Sequence, residues 1–189
     1  MTNVKKINDT YLSVPEEVKL ELAKMGIQLD MSEEDKPHFR GDKYCGVPPK
    51  NLDELDTSEL AELMSAHISW TRYINGALSD AVVQLRCRED ALSAIKQSII
   101  KSKGKDCVEF DDDYLLANYN VLWWSAMKSY LESAETMCAQ NYKVISRIVT
   151  LRGQDQEQTI RLNSVKSGTA DELRTNKRKP RPWLTDNND

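Results

Sequence analysis

The chain has few of the residues that build turn-rich folds: only seven glycines in 189 residues, with aromatics at 7%. That balance argues against an all-β architecture and suits long helices. No stretch approaches the roughly 18 to 20 apolar residues needed to cross a bilayer. The opening Met1-Thr2-Asn3-Val4-Lys5-Lys6 runs into polar residues, where a secretory signal would carry an apolar core. A cytoplasmic protein with no membrane partner is therefore expected. Cys45, Cys87, Cys107 and Cys138 are too dispersed for a zinc knuckle, and His38 and His67 do not pair with them at ligand spacing. Neither a structural metal nor a disulfide framework is expected. There is no GxxxxGK[ST] loop, GxGxxG, GxSxG elbow or HExxH. The expectation is a non-enzymatic protein without a cofactor.

What is present is charge and periodic apolar residues. Charged residues make up 30% of the chain and hydrophobic ones 40%, enough for one ordinary domain with terminal arms. The net charge is −4, yet Arg174, Lys177, Arg178, Lys179 and Arg181 contribute +5, so the remainder carries −9. An acidic body ends in a basic tail.

Three segments follow from the pattern. Residues 1–56 read as an arm with one short helix, capped by Ser13 with Glu16, opened by Pro15 and closed by Gly26 in a left-handed conformation. Val14, Val18, Leu22 and Met25 share one side of it. From Asp30 to Lys50, Pro37, Gly41, Gly46 and Pro48-Pro49 predict a linker, extended or draped over a neighbour. Residues 57–152 read as a helical hairpin. Asp56 and Glu59 form a capping box for a helix running to about Lys101, about 45 residues or roughly 65 Å. Leu63, His67, Trp70, Ile74, Ala77 and Ala81, then Leu85, Leu92 and Ile99, form a heptad-like seam.

Ser102 to Asp106 breaks that helix, and Asp111, Asp112 and Asp113 suit the positive N-terminal end of the next. Its seam is expected along Leu116, Trp123, Met127, Tyr130, Ala134, Met137, Asn141, Val144, Ile148 and Leu151, with a stop at Gly153. Two such helices bury their stripes most simply as an antiparallel, coiled-coil-like hairpin. Ile68, Tyr73, Leu78, Val82, Tyr119, Leu122, Trp124 and Ile145 fall off the seams. Of these, Ile68, Tyr73, Leu78, Leu122, Trp124 and Ile145 are the expected homo-oligomer interface. Residues 153–189 are a polar and basic tail, expected to hold a short helix at most and to be disordered or partner-bound beyond Gly168. The fold class is thus all-α, a long helical hairpin with a short N-terminal helix and extended or disordered arms.

His67, at a seam position, fits a hydrogen-bonded interior histidine better than a general base lacking a nucleophile. The three aspartates could hold a divalent cation, but capping explains them more simply. Lys96, Lys101, Lys103 and Lys105 gather at the hairpin end, where lysines can neutralise phosphates without reading sequence or can simply solubilise a helix end. In the tail, Lys177, Arg178, Lys179 and Arg181 adjoin Trp183, whose indole could stack on an unpaired base. The same tail would also serve as a docking peptide for an acidic protein.

The central pattern resembles the UvsY-like recombination mediators of bacteriophages. The likeness rests on Leu52-Asp53-Glu54-Leu55 and Leu60-Ala61-Glu62-Leu63 before a long helix and on Trp70 with Tyr73 inside it. A lysine-bearing connection and a second helix ending Ile145-Ser146-Arg147-Ile148-Val149-Thr150-Leu151-Arg152 complete it. It spans roughly residues 50–152 and has no short diagnostic motif. The resemblance implies an oligomeric, ATP-independent protein of the host cytoplasm, acting in DNA recombination and repair. Such a protein binds single-stranded DNA and helps a RecA-like recombinase displace the single-strand-binding protein. It also implies that Lys96, Lys101, Lys103 and Lys105 form the basic end of the first helix. The N-terminal arm and basic tail depart from the family pattern. The other reading of the residues is a coiled-coil adaptor or virion scaffold component without nucleic-acid activity. An enzyme with a metal at Asp111 to Asp113 is a third.

Overall fold

The computed structural model describes residues 2–29, 31–39 and 44–175, with side chains described from Tyr11 to Ser164 except at Glu33. It is all-α: helix α1 is Thr2–Lys24, α2 is Thr57–Lys103 and α3 is Asp112–Thr175. Short 3-10 turns occupy Glu33–Asp35 and Lys105–Phe110, and no strand occurs among the described residues. The chain divides into two compact units, Met1–Ser146 and Arg147–Asp189.

Helix α2 begins where its cap chemistry directs. The Asp56 carboxylate accepts the Glu59 N–H at 2.8 Å, and the Glu59 carboxylate accepts the Asp56 N–H at 2.7 Å. This reciprocal pair satisfies two otherwise orphaned donors. The helix runs 47 residues to Lys103, and Gly104 (φ +94°) breaks it. Within the first unit α2 and α3 run antiparallel, His67 lying against Cys138 and Tyr142. On α2 the buried positions are Leu60, Leu63, His67, Ile74, Ala81 and Ile99, close to the predicted seam.

The α3 seam differs from expectation by a rotation of the helix. Met127 and Ala134 face inward as expected, but they alternate with Leu131, Cys138 and Ile145, while Val144 is exposed and Leu116 is 63% exposed. Leu131, Cys138 and Ile145 form a seven-residue repeat of their own. They lie one position, about 100° of rotation, from the expected line through Tyr130, Met137 and Val144. A third layer decides between the two lines. Helix α1 packs Val14, Val18 and Leu22, with Ile27 just beyond its end, into one cluster with Ile74, Ala81, Met127, Leu131, Ala134 and Cys138, so a wider face is covered than a two-helix seam requires.

Helix α1 is longer than the predicted helix, spanning 23 residues with Pro15 inside it. Ser13 does not cap; its hydroxyl donates to the Glu17 carboxylate one turn on. An interior proline removes a helix hydrogen bond at a cost of about 3 kcal/mol. Packing offsets this: Val14, Val18 and Leu22 are buried, Asn118 Nδ2 donates to Tyr11 Oη at 3.3 Å, and the Tyr119 hydroxyl donates to Glu17. The predicted terminator holds. Gly26 has φ +80°, its N–H bonds Ala23 O at 3.0 Å, and the Ile27 N–H reaches Leu22 O at 2.8 Å. This is the Schellman arrangement, with Ile27 and Leu22 both buried as its hydrophobic pair.

The segment predicted as a linker docks on its own hairpin. Val47, Leu52 and Leu55 are buried, the Gly46 carbonyl accepts Asn141 Nδ2 at 2.8 Å, and the Trp70 ring lies against Gly46. With α1 it belongs to the same compact unit as α2 and the part of α3 up to Ser146.

In the second unit, the helix predicted to stop at Gly153 continues through it to Thr175. A glycine in a helix costs only about 1 kcal/mol, and Gln154 to Asn163 contains no proline to enforce a stop. Residues 153–164 are all exposed.

Candidate nucleic-acid interface and assembly surfaces

Lys96, Lys101 and Lys103 lie on the last turns of α2 and Lys105 in the following 3-10 turn, all four exposed. Seven residues are nearly two full turns, so Lys96 and Lys103 point the same way, whereas Lys101 lies about 140° round the helix from Lys96. The ammonium of Lys103 is engaged: Nζ lies 2.6 Å from Asp111 Oδ2. This hydrogen bond raises the Lys103 pKa and holds the Asp111 carboxyl below its ordinary value. Asp111 also starts α3, its Oδ1 accepting the Asp113 N–H at 3.1 Å and its carbonyl accepting the Leu115 N–H at 3.0 Å.

The capping role expected of the aspartate run therefore falls on Asp111, with Asp112 and Asp113 in the first turn. Among the described residues, no three His, Cys, Asp or Glu side chains converge as a metal-binding group. Residues 96–113 carry four lysines against five carboxylates: Asp106, Glu109, Asp111, Asp112 and Asp113. The hairpin end is a mixed-charge surface on which Lys96, Lys101 and Lys105 make no ion pair among the described residues. Lys177, Arg178, Lys179, Arg181 and Trp183 lie outside the described residues.

Of the six residues expected to form an oligomer interface, Ile68, Tyr73 and Leu122 are exposed, at 41%, 43% and 40%. Leu78 and Trp124 are half-buried against the core cluster, and Trp124 packs edge-on against Trp123 with centroids 4.8 Å apart. Ile145 is a correction: it is fully buried inside the chain, because the α3 seam runs through it. Leu116, expected on the α3 seam, is exposed, and so is Val83. The exposure of Leu116 follows from the rotation of α3. No membrane-spanning helix occurs among the described residues.

His67 is the interior polar centre. Its Nε2 lies 3.0 Å from the Cys138 carbonyl, which can only accept, so Nε2 carries the proton. Nδ1, 2.5 Å from the Tyr44 hydroxyl, is then the acceptor of the neutral ring. Burial lowers the His67 pKa, and it raises those of the Tyr44 hydroxyl and the Cys138 thiol. The group is a neutral hydrogen-bond chain that pins the arm to both hairpin helices. Among the described residues, no buried side-chain nitrogen or oxygen lacks a partner. Sequence pattern places His67 and Asn141 on the seams but carries no signal for Tyr44, nor for the pairing of Asn141 with Gly46, 95 residues away.

Neither a family model, nor a curated protein, nor a solved structure matches the chain.

Proposed function

We propose that this chain is an oligomeric, non-enzymatic recombination mediator that binds single-stranded DNA and assists a RecA-like recombinase in displacing the single-strand-binding protein. One observation carries the reading: a helical hairpin with large apolar side chains left on its outer surface bears solvent-exposed lysines where the chain reverses. The pattern resemblance over residues 50–152 supplies the activity. Assembly repeats a weak cationic contact along one strand, and repetition raises avidity without any new contact. The basic tail, Lys177 to Arg181 with Trp183, adds a second phosphate and base contact in this scheme.

Fluorescence anisotropy on an unstructured oligonucleotide tests it. Binding should weaken with salt, and replacing Lys96, Lys101 and Lys105 by alanine should flatten the slope of log affinity against log salt by about 2 per subunit engaged. Lys103→Ala should matter less, because its ammonium already faces Asp111. Absence of binding at low salt removes the DNA reading.

A second reading, a coiled-coil adaptor or scaffold component, is favoured by the mixed charge of the hairpin end and by the Lys103 and Asp111 pair. It requires assembly by light scattering that oligonucleotide neither promotes nor alters.

A further inference from the structure

A groove of about 450 Å³ opens between the distal half of α2 and the start of α3, lined by Arg88, Ala91, Ile95, Asp113, Leu116 and Ala117 among others. Leu116 stands in it 63% exposed, and Arg88 makes no ion pair among the described residues. The hairpin register sets the charges at opposite ends. With residue 67 beside residues 138 and 142, Asp113 lies level with residues near 94. That is about six residues, or roughly 10 Å, along the axis from Arg88. Midway between the two levels lie Ala91 on α2 and Leu116 and Ala117 on α3.

We infer that this groove is a self-complementary interface in which a second copy of the chain packs antiparallel, about a two-fold axis at the level of Ala91 and Ala117. Such an axis exchanges the two levels, so each copy's Arg88 meets the other's Asp113 on either side of the centre. A closed two-fold interface requires this self-complementarity. Short side chains at the centre allow the hairpins to approach closely, and interaxial distance depends on the side chains at the contact. Leu116 of each copy then loses its exposure to water. The inference rests on the assembly part of the reading above and names the surface through which assembly begins.

Charge reversal with mixing tests it. Arg88→Asp creates two acidic pairs in a homodimer, and Asp113→Lys creates two basic pairs. Each variant alone should dissociate with an affinity loss on the order of a hundredfold in sedimentation velocity at low salt. An equimolar mixture should regain the dimer, because every Arg88→Asp copy then faces an Asp113→Lys copy and both pairs are again of opposite sign. A merely structural role for either residue gives no recovery on mixing.

Circular dichroism of each variant checks that it folds. Two further variants, Ala91→Cys and Ala117→Cys, each with Cys87→Ser and Cys107→Ser, perturb folding least; because the axis sets Ala91 of one copy opposite Ala117 of the other, mixing them should give a disulfide between copies under mild oxidation. Reversal variants that assemble as the unaltered chain does, or a mixture of the Ala91→Cys and Ala117→Cys chains that stays uncrosslinked, overturn this surface while leaving assembly through another face intact. A monomeric unaltered chain overturns the surface and the assembly reading together.

Discussion

Replacing Gly46 by alanine separates two costs that glycine substitutions usually confound. Gly46, Gly26 and Gly104 share positive φ values of +86°, +80° and +94°. An L-residue held there costs about 1–2 kcal/mol. Their surroundings differ. A Cβ at Gly104 meets nothing within 4 Å, and one at Gly26 meets only Trp70 Cη2 at 3.6 Å, an ordinary contact. At Gly46 it falls deep inside the contact distance of Trp70 Nε1 and Cδ1, with Cε2 at 3.3 Å. The indole cannot retreat freely, because it is half-buried against the core cluster. Forcing a methyl into such a site adds about 1–3 kcal/mol. Gly46→Ala should therefore cost about 2–5 kcal/mol, against about 1–2 kcal/mol for Gly26→Ala or Gly104→Ala. Urea unfolding followed by helical circular dichroism measures all three. In a Trp70→Ala background the excess at Gly46 should vanish, leaving the backbone cost. Equal losses at Gly46 and Gly104, or an excess that survives removal of the indole, refute the docking of residues 44–47 against Trp70.

The remaining expectations concern the interior and the last helix. Because burial lowers the His67 pKa in the folded chain, the unfolded state takes up its proton first as pH falls. Stability should be fully present above about pH 6.5 and decline below it, by up to about 1.4 kcal/mol per pH unit, until the folded ring titrates. Urea midpoints between pH 7.5 and 5.5 should show this decline, and His67→Gln should remove it. Ile145→Ala should cost about 2–5 kcal/mol in urea unfolding, and Leu122→Ala within about 0.5 kcal/mol, if α3 is rotated as described. Gly153→Ala, with open space around the new methyl, should stabilise the helix locally by about 1 kcal/mol and slow amide exchange at residues 150–157.

Legibility of the fold followed the range of the interactions. The α2 start was written in Asp56 and Glu59, three residues apart, and the α1 stop in Gly26, because caps are local chemistry. The α2 seam was legible because its apolar residues alternate with strongly polar ones. The α3 seam was not, since Met127, Tyr130, Leu131, Ala134, Met137 and Cys138 form one broad apolar face. Only the arm packed on it determines which line points inward. Pro15 and Gly153 misled for one shared reason: intrinsic propensity is a weak term, overridden by burial at the first and too small to end a helix at the second. Among the candidate site residues, exposure of the hairpin lysines could be expected from their type. The engagement of Lys103 by Asp111 could not, because it depends on how the eight residues between the helices fold back.

The arm's dependence on the far helix also sets an order of events during synthesis. Tyr11 and Glu17 find their partners at Asn118 and Tyr119, more than 100 residues downstream. At about 5–20 residues per second, α1 leaves the ribosome roughly 5–20 s before its resting place exists. For that interval Val14, Val18 and Leu22 face water, a chaperone or another nascent chain. Helix α1 is made well before its partners on α3, and a ribosome paused between residues 25 and 118 would lengthen its wait.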